Sequence, residues 1–210
     1  MAKVLMINGS PKKGGCTFTA LTEVGKGLAD YAVAYEIMHI GTQPISGCID
    51  CGGCRKEGAQ GCVLPDSGIV RECIKRIEAA DGLVVGSPVY FASANGSLVS
   101  LLDRVFFGSD HFAGKPAAAV VSARRAGTTA ALDQLHKYFM LAEMPVVTSS
   151  YWNMVHGFNP EQVAQDAEGL QTMRNLGRNM GWLIRSIEAG RNSGVEPPAT
   201  EYGSFTNFIS

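Results

Sequence analysis

This chain predicts an α/β fold, a three-layer sandwich doubly wound around a five-stranded parallel sheet, and three observations carry that expectation. Short apolar runs alternate with longer helical patterns along the sequence, the signature of successive βα units. The first apolar run, Val4–Ile7, feeds a glycine-rich turn that opens into a helical pattern. The 210 residues, 46% of them hydrophobic, suffice for one substantial domain of this kind.

Strands are read at Lys3–Asn8, Tyr35–Ile40, Gly82–Ser87, Pro116–Ser122 and Pro145–Thr148. The first helix is expected from about Phe18. Between Gly96 and Phe107, Leu98, Leu101, Leu102, Val105 and Phe106 recur at helical spacing and form a core-facing stripe. Leu132, Leu135, Phe139 and Ala142 do the same in the following helix. Met173, Leu176, Met180, Leu183, Ile184 and Ile187 mark a long final helix. A shorter stripe of Ile69, Val70, Cys73, Ile74 and Ile77 puts Cys73 on a buried face, as plain core. The domain is drawn over residues 1–189. The remainder, 190–210, carries Pro197-Pro198 and scattered aromatics and is expected to wrap the surface or a neighbouring subunit.

Composition narrows the function classes. A formal net charge of −1 with 18% charged residues argues against a nucleic-acid binder. No apolar stretch approaches the roughly 20 residues needed to span a membrane. The opening apolar run is too short for a signal-peptide core and is read as the first strand. A cytoplasmic location is expected, where clustered cysteines more often mean metal or redox chemistry than disulfides.

One stretch breaks the βα rhythm. From Gly41 to Asp66 about 25 residues show no clear period, longer than the ~12–15 usual for a structureless connection. Within it, the insertion 44–66 carries Cys48, Cys51 and Cys54 at strict two-residue gaps, with Cys62 shortly after. Four thiols this dense, interleaved with glycines, read as a ligand set. A C-x2-C-x2-C run lets one loop wrap several thiolates around an iron–sulfur cluster. A four-thiolate zinc more usually draws two separated C-x2-C pairs. A third reading is a loop without metal, its thiols redox-active or merely structural.

After the first strand, Asn8-Gly9-Ser10-Pro11-Lys12-Lys13-Gly14-Gly15-Cys16-Thr17 leads into the first helix. A glycine-rich turn at a helix N-terminus offers unpaired backbone N–H groups and the positive end of the helix dipole. Ser10 and Thr17 add hydroxyls and Lys12 a cation, which suits a terminal phosphate. Both G-x-x-x-x-G-K-[ST] and G-x-G-x-x-G are missing, which disfavours a nucleotide-hydrolase loop and a dinucleotide site. Ser87-Pro88-Val89-Tyr90-Phe91 after the third strand and Ala123-Arg124-Arg125-Ala126-Gly127 after the fourth converge on the same edge. Together the three loops favour a flavin mononucleotide (FMN) site. Cys16, at a helix N-terminus, is a candidate for a lowered thiol pKa. His156 beside Trp152 fits a structural or interface role better than proton donation, while His39, His111 and His136 carry no motif.

Gly9-Ser10-Pro11-Lys12…Thr17, Ser87-Pro88-Val89-Tyr90-Phe91 and Leu102-Asp103-Arg104 resemble the flavodoxin-like NAD(P)H-dependent FMN reductases. Cys48, Cys51, Cys54 and Cys62 resemble the iron–sulfur flavoprotein branch, and Tyr151-Trp152-Asn153…His156-Gly157 is similar to a segment of many members. The resemblance implies a flavodoxin-like sandwich with strand order 2-1-3-4-5. It implies that Ser10, Lys12, Cys16 and Thr17 hold the FMN phosphate, although relatives commonly carry Asn or Ser where this chain has Cys16. Pro88, Val89, Tyr90 and Phe91 would line the isoalloxazine, with Ala123, Arg124, Arg125 and Gly127 closing the other side. NAD(P)H would supply hydride, and a quinone, nitro- or azo-compound or a [4Fe–4S] cluster on the four cysteines would take the electrons. No side chain need act as acid or base. The alternatives are a non-enzymatic electron carrier serving a ferredoxin-like partner, and a metal-stapled interaction module. The open flavin edge leads us to expect a homodimer or homotetramer.

Overall fold

Strands buried on both faces read as near-continuous apolar runs, and the central strands of this chain do. The computed structural model describes residues 1–204 and 206. Its elements run β1 (Lys3–Asn8), α1 (Cys16–Ala29), β2 (Ala34–His39), α2 (Gly68–Glu78), β3 (Gly82–Tyr90), β4 (Ser93–Ala94), α3 (Gly96–Gly108), β5 (Ala117–Ala123), α4 (Thr128–Leu141), β6 (Met154–His156), α5 (Pro160–Val163) and α6 (Ala167–Asn192). The parallel sheet has the order β2-β1-β3-β5-β6, with the two-residue β4 paired antiparallel to the end of β3. Setting β4 aside, this is the expected 2-1-3-4-5 winding.

Alternation along the strands divides the core in two. Leu5, Ile7, Leu83, Val85, Ala119 and Val121 point toward α2, α3 and α4. Val4, Met6, Val84, Ala118 and Val120 point toward α1 and α6. On the second face the two helices approach so closely that a Cβ on Gly27 would stand 2.1 Å from the carbonyl oxygen of Arg174, and one on Gly177 2.1 Å from that of Val24. Only glycine fits there. Glu23 of α1 joins the contact, accepting from Arg174 at 2.9 Å and pairing with Lys26.

One expectation is corrected. The fifth strand was read at Pro145–Thr148, but only Val146 bridges to Ala117 there. The regular pairing falls later, at Met154–His156 against Val121–Ala123. Asn153 stitches the interruption, its carbonyl accepting from Val121 N at 3.0 Å and its amide donating to Ala119 O at 3.0 Å. The final helix runs to Asn192. Tail residues 205 and 207–210 lie outside the described residues; Thr200 and Tyr202 bond to Glu143, an attachment to this chain's own surface. Among the described residues no helix is long and apolar enough to cross a membrane.

Candidate functional site

The loops that follow β1, β3, β5 and β6 meet at the carboxyl ends of the strands, where a doubly wound sheet takes its ligands. The first is shaped by its backbone: Gly9 N donates to Gly86 O at 2.8 Å and Gly15 N to Lys12 O at 3.2 Å. Side chains complete it. Asn8 accepts from Ser10 N at 3.1 Å and donates to Lys13 O at 3.0 Å, and Ser10 Oγ accepts from Lys12 N at 3.1 Å. His39, which showed no motif in the sequence, donates from Nε2 to Ser10 O at 2.7 Å and ties β2 to the same loop.

At the start of α1 the N-cap is Gly15, which brings no side chain to the orphan N–H groups of the first turn. Those donors lie at the positive end of the helix dipole, and the same loop carries the exposed Lys12 and the hydroxyl of Ser10. Thr17 contributes differently from expectation. Its hydroxyl is buried and bonded to Ser122 Oγ at 2.9 Å, beneath the loop, leaving its backbone N–H at the helix end. Cys16 is half-buried, with its Sγ 3.8 Å from Gly157 O. Burial raises its pKa, outweighing a backbone hydrogen bond and the nearby Lys12 charge, so the lowered thiol pKa considered from sequence is not what this position provides.

The second loop is a tight hairpin. Phe91 and Ala92 adopt φ of +52° and +58°, the left-handed pair of a two-residue hairpin turn, without the glycine that usually serves there. Buried Ser87 fixes its base, donating to Pro88 O at 2.8 Å and accepting from Asn95 N at 2.9 Å. Asn95 in turn caps α3, accepting from Ser97 N at 2.9 Å and Leu98 N at 3.3 Å. Pro88 and Val89 are half-buried, while Tyr90 and Phe91 stand exposed. The third loop leans on this hairpin. Gly127 has φ +92°, and a Cβ there would lie 2.8 Å from Ala92 Cα and 3.2 Å from Val89 Cγ1. Ala123 is buried, and Arg124 and Arg125 project from the rim. A fourth loop, not foreseen, closes the row through Gly157 N, which donates to Ala123 O at 3.1 Å. His156 has no place in this edge chemistry: its backbone N–H donates to Asp166 at 2.7 Å.

The cysteine insertion has one short 3-10 turn, Gly53–Arg55, and is otherwise irregular, as its lack of period foretold. Cys48, Cys51, Cys54 and Cys62 line a common shallow recess, with a cavity volume of about 20 Å³, together with Ile49, Val63, Arg104 and Phe107. Cys48 and Cys51 are exposed, Cys54 is half-buried and Cys62 is buried. The thiols surround the recess without converging: among the described residues no three His, Cys, Asp or Glu side chains are grouped to hold an ion. On one side the recess is built on the later turns of α3. Arg104 lies nine residues beyond the α3 cap and Phe107 twelve, which at ~1.5 Å per residue is about 14 and 18 Å down the helix. Cys73, by contrast, is plain core on α2, and burial pushes its thiol up to about 12.

A family model described as NADPH-dependent FMN reductase matches residues 2–159. The chain belongs to that family. It is accordingly an FMN-dependent NAD(P)H oxidoreductase with a flavodoxin-like fold. An iron-sulfur flavoprotein of Methanocaldococcus jannaschii is 31% identical over 89% of this chain and 99% of its own length. One from Methanosarcina thermophila is 28% identical over 90% of this chain and 99% of its own. Among solved structures, the NAD(P)H:quinone oxidoreductase of Methanothermobacter marburgensis shares the fold, with a TM-score of 0.63, 21% identity, and coverage of 86% of this chain and 98% of that one.

The residues present fit FMN. An uncapped helix end beside a lysine and a serine accepts a phosphate dianion, and half-buried Pro88 and Val89 offer an apolar shelf beside it. The cysteine loop fits an iron–sulfur cluster in donor chemistry, with four thiols around one largely apolar recess.

Proposed function

We propose that the protein takes electrons from NAD(P)H and passes them to a small quinone, nitro- or azo-compound, or to a [4Fe–4S] cluster on the cysteine loop. The observation that supports this most is the open N-terminus of α1 in the row of strand-end loops, with Ser10 and Lys12 beside it. When bound, FMN supplies hydride chemistry toward a nicotinamide and one- or two-electron chemistry toward an acceptor.

The chain's own residues bind and orient. First-turn N–H groups of α1, Lys12 and the Ser10 hydroxyl would hold the phosphate. Pro88, Val89, Tyr90 and Phe91 would line one side of the ring, on a hairpin that Ser87 and Asn95 keep in place. Arg124, Arg125 and Gly127 would close the other side. The exposed Tyr90 and Phe91 leave room for a planar acceptor to reach the ring edge. Cys48, Cys51, Cys54 and Cys62 would hold the cluster.

A second reading is a carrier that serves a ferredoxin-like partner. The exposure of Cys48 and Cys51 favours it. In either case we propose assembly as a homodimer or homotetramer, in which a second copy covers exposed Tyr151, Trp152 and Phe158. The test is anaerobic purification with FMN, iron and sulfide quantified per chain, followed by steady-state NAD(P)H oxidation with a quinone. Turnover with one FMN per chain supports the oxidoreductase reading. Bound FMN with negligible turnover transfers the case to the carrier, and no bindable FMN overturns both.

A further inference from the structure

Arg104 belongs to the motif Leu102-Asp103-Arg104, and its neighbour Asp103 is occupied elsewhere, accepting from the Tyr138 hydroxyl. Arg104 itself is 1% exposed, an unusual burial for a cation unless its donors are met. Four hydrogen bonds meet them in part, and all four lead into the cysteine insertion. Nη1 donates to Ser46 O at 3.1 Å, to Ser46 Oγ at 3.1 Å and to Asp66 at 2.9 Å, clasping the two ends of the loop. Nε donates to Cys62 Sγ at 3.3 Å. Nη2 has no partner among the described residues, although it is fully buried and the side chain lines the cysteine recess.

A clamp that only held the loop would leave no donor stranded, because an unmet buried N–H is costly and rare. The four thiols define what the recess takes. Ligating thiolates and the sulfide of a cluster are anionic, and hydrogen bonds to sulfur and nearby charge set how readily a cluster accepts an electron. The other cation lining the recess, Arg55, is turned over the Phe107 ring at 5.3 Å. Arg104 is therefore the buried positive charge beside the sulfurs.

We infer that Arg104 is a positioning residue that sets the cysteine loop for loading and donates Nη2 to the sulfur of the thiolate-bound group in the recess. This rests on the cluster reading above. The group is recognised by its chemistry, a compact anionic iron–sulfide assembly. A positive charge at this distance favours the reduced, more negative form, so it raises the reduction potential.

The test compares wild type, Arg104→Gln and Arg104→Lys after anaerobic reconstitution with iron and sulfide. FMN content, set by the strand-end loops, reports folding in each. Arg104→Gln is expected to lose iron to a chelator with an affinity on the order of 10- to 100-fold weaker, the usual cost of removing a hydrogen-bond partner of a ligand. The cluster that remains is expected to be reduced at a more negative potential; a tenfold bias between its two states is about 59 mV for one electron. Lysine keeps the charge but not the rigid fork of donors. Arg104→Lys should hold a potential near wild type while still losing iron faster. Wild-type retention and potential in Arg104→Gln would overturn the inference, with a water as the partner of Nη2. Should Arg104→Gln fail to bind FMN, the lysine variant decides alone, and wild-type iron retention in it would overturn the inference. A wild type that binds FMN but neither iron nor sulfide would overturn the cluster reading, and this role with it.

Discussion

The row of loops at the strand ends and the cysteine insertion are both irregular segments, and they are held by opposite means. The strand-end loops are fixed by backbone: Gly9 to Gly86, Gly15 to Lys12 and Gly157 to Ala123 are main-chain hydrogen bonds, anchored to strands buried in the sheet. The insertion of residues 44–66 hangs instead on side chains, chiefly Arg104 reaching Ser46, Cys62 and Asp66. The first region is a product of the fold and stands ready for a ligand. The second is held by side chains, Arg104 together with Arg71 on Cys62 O, and leaves its thiols unconverged. A phosphate site built of N–H groups needs nothing from its ligand to form, whereas a thiolate site gains much of its order from the metal it binds.

Independent loading of the two regions is the sharpest way to break this contrast. Replacing Cys48, Cys51, Cys54 and Cys62 together with Ser should abolish iron binding completely while FMN per chain, measured by absorbance after denaturation, stays at the wild-type level. Lys12→Ala should do the reverse. Losing a charge-assisted hydrogen bond of roughly 1.5–3 kcal/mol weakens FMN by about 10- to 100-fold by fluorescence titration, with iron content unchanged.

Gly127→Val probes the contact between the β3 hairpin and the β5 loop. A branched side chain at φ +92°, pressed on Ala92, should cost roughly 1–3 kcal/mol in denaturant unfolding and weaken FMN as well. The smallest effect concerns the sheet's other support, the α1–α6 contact. Burial acts to raise the Glu23 pKa, but hydrogen bonds from Lys26 and Arg174 outweigh it and hold the carboxyl below its usual value of 4.5. A lowered folded-state pKa contributes stability that is present above the unfolded value and lost as pH falls through the folded one. Glu23→Gln should therefore be less stable than wild type at pH 7 by about 1 kcal/mol. The gap should close as pH is lowered below the ordinary carboxylate range, read by thermal melting.

The winding order and most elements were legible because strands buried on both faces and helices with one apolar stripe write their periods plainly. Val146 and Val147 looked like a strand for the same reason. The true pairing at Met154–His156 is three residues long and depends on Asn153, so no periodic signal could reveal it. In the candidate site, the glycine-rich turn into α1 was legible from its glycines. Thr17 was misjudged because nothing in the sequence says that Ser122 lies beneath it. Arg104 was read only as part of a motif; its burial against a loop about 40 residues earlier is a tertiary fact. That the cysteine loop packs on the later turns of α3, by Arg104 and Phe107, is likewise a tertiary fact.

The most direct measurement is the affinity of the flavin-free protein for FMN against riboflavin, which differs only in lacking the phosphate. Recognition by the α1 N-terminus, Ser10 and Lys12 predicts one FMN per chain and riboflavin bound at least about 100-fold more weakly, the worth of two charge-assisted hydrogen bonds at ~1.5 kcal/mol each. Equal affinity for the two flavins would contradict the account, because the phosphate loop would then play no part in holding the cofactor.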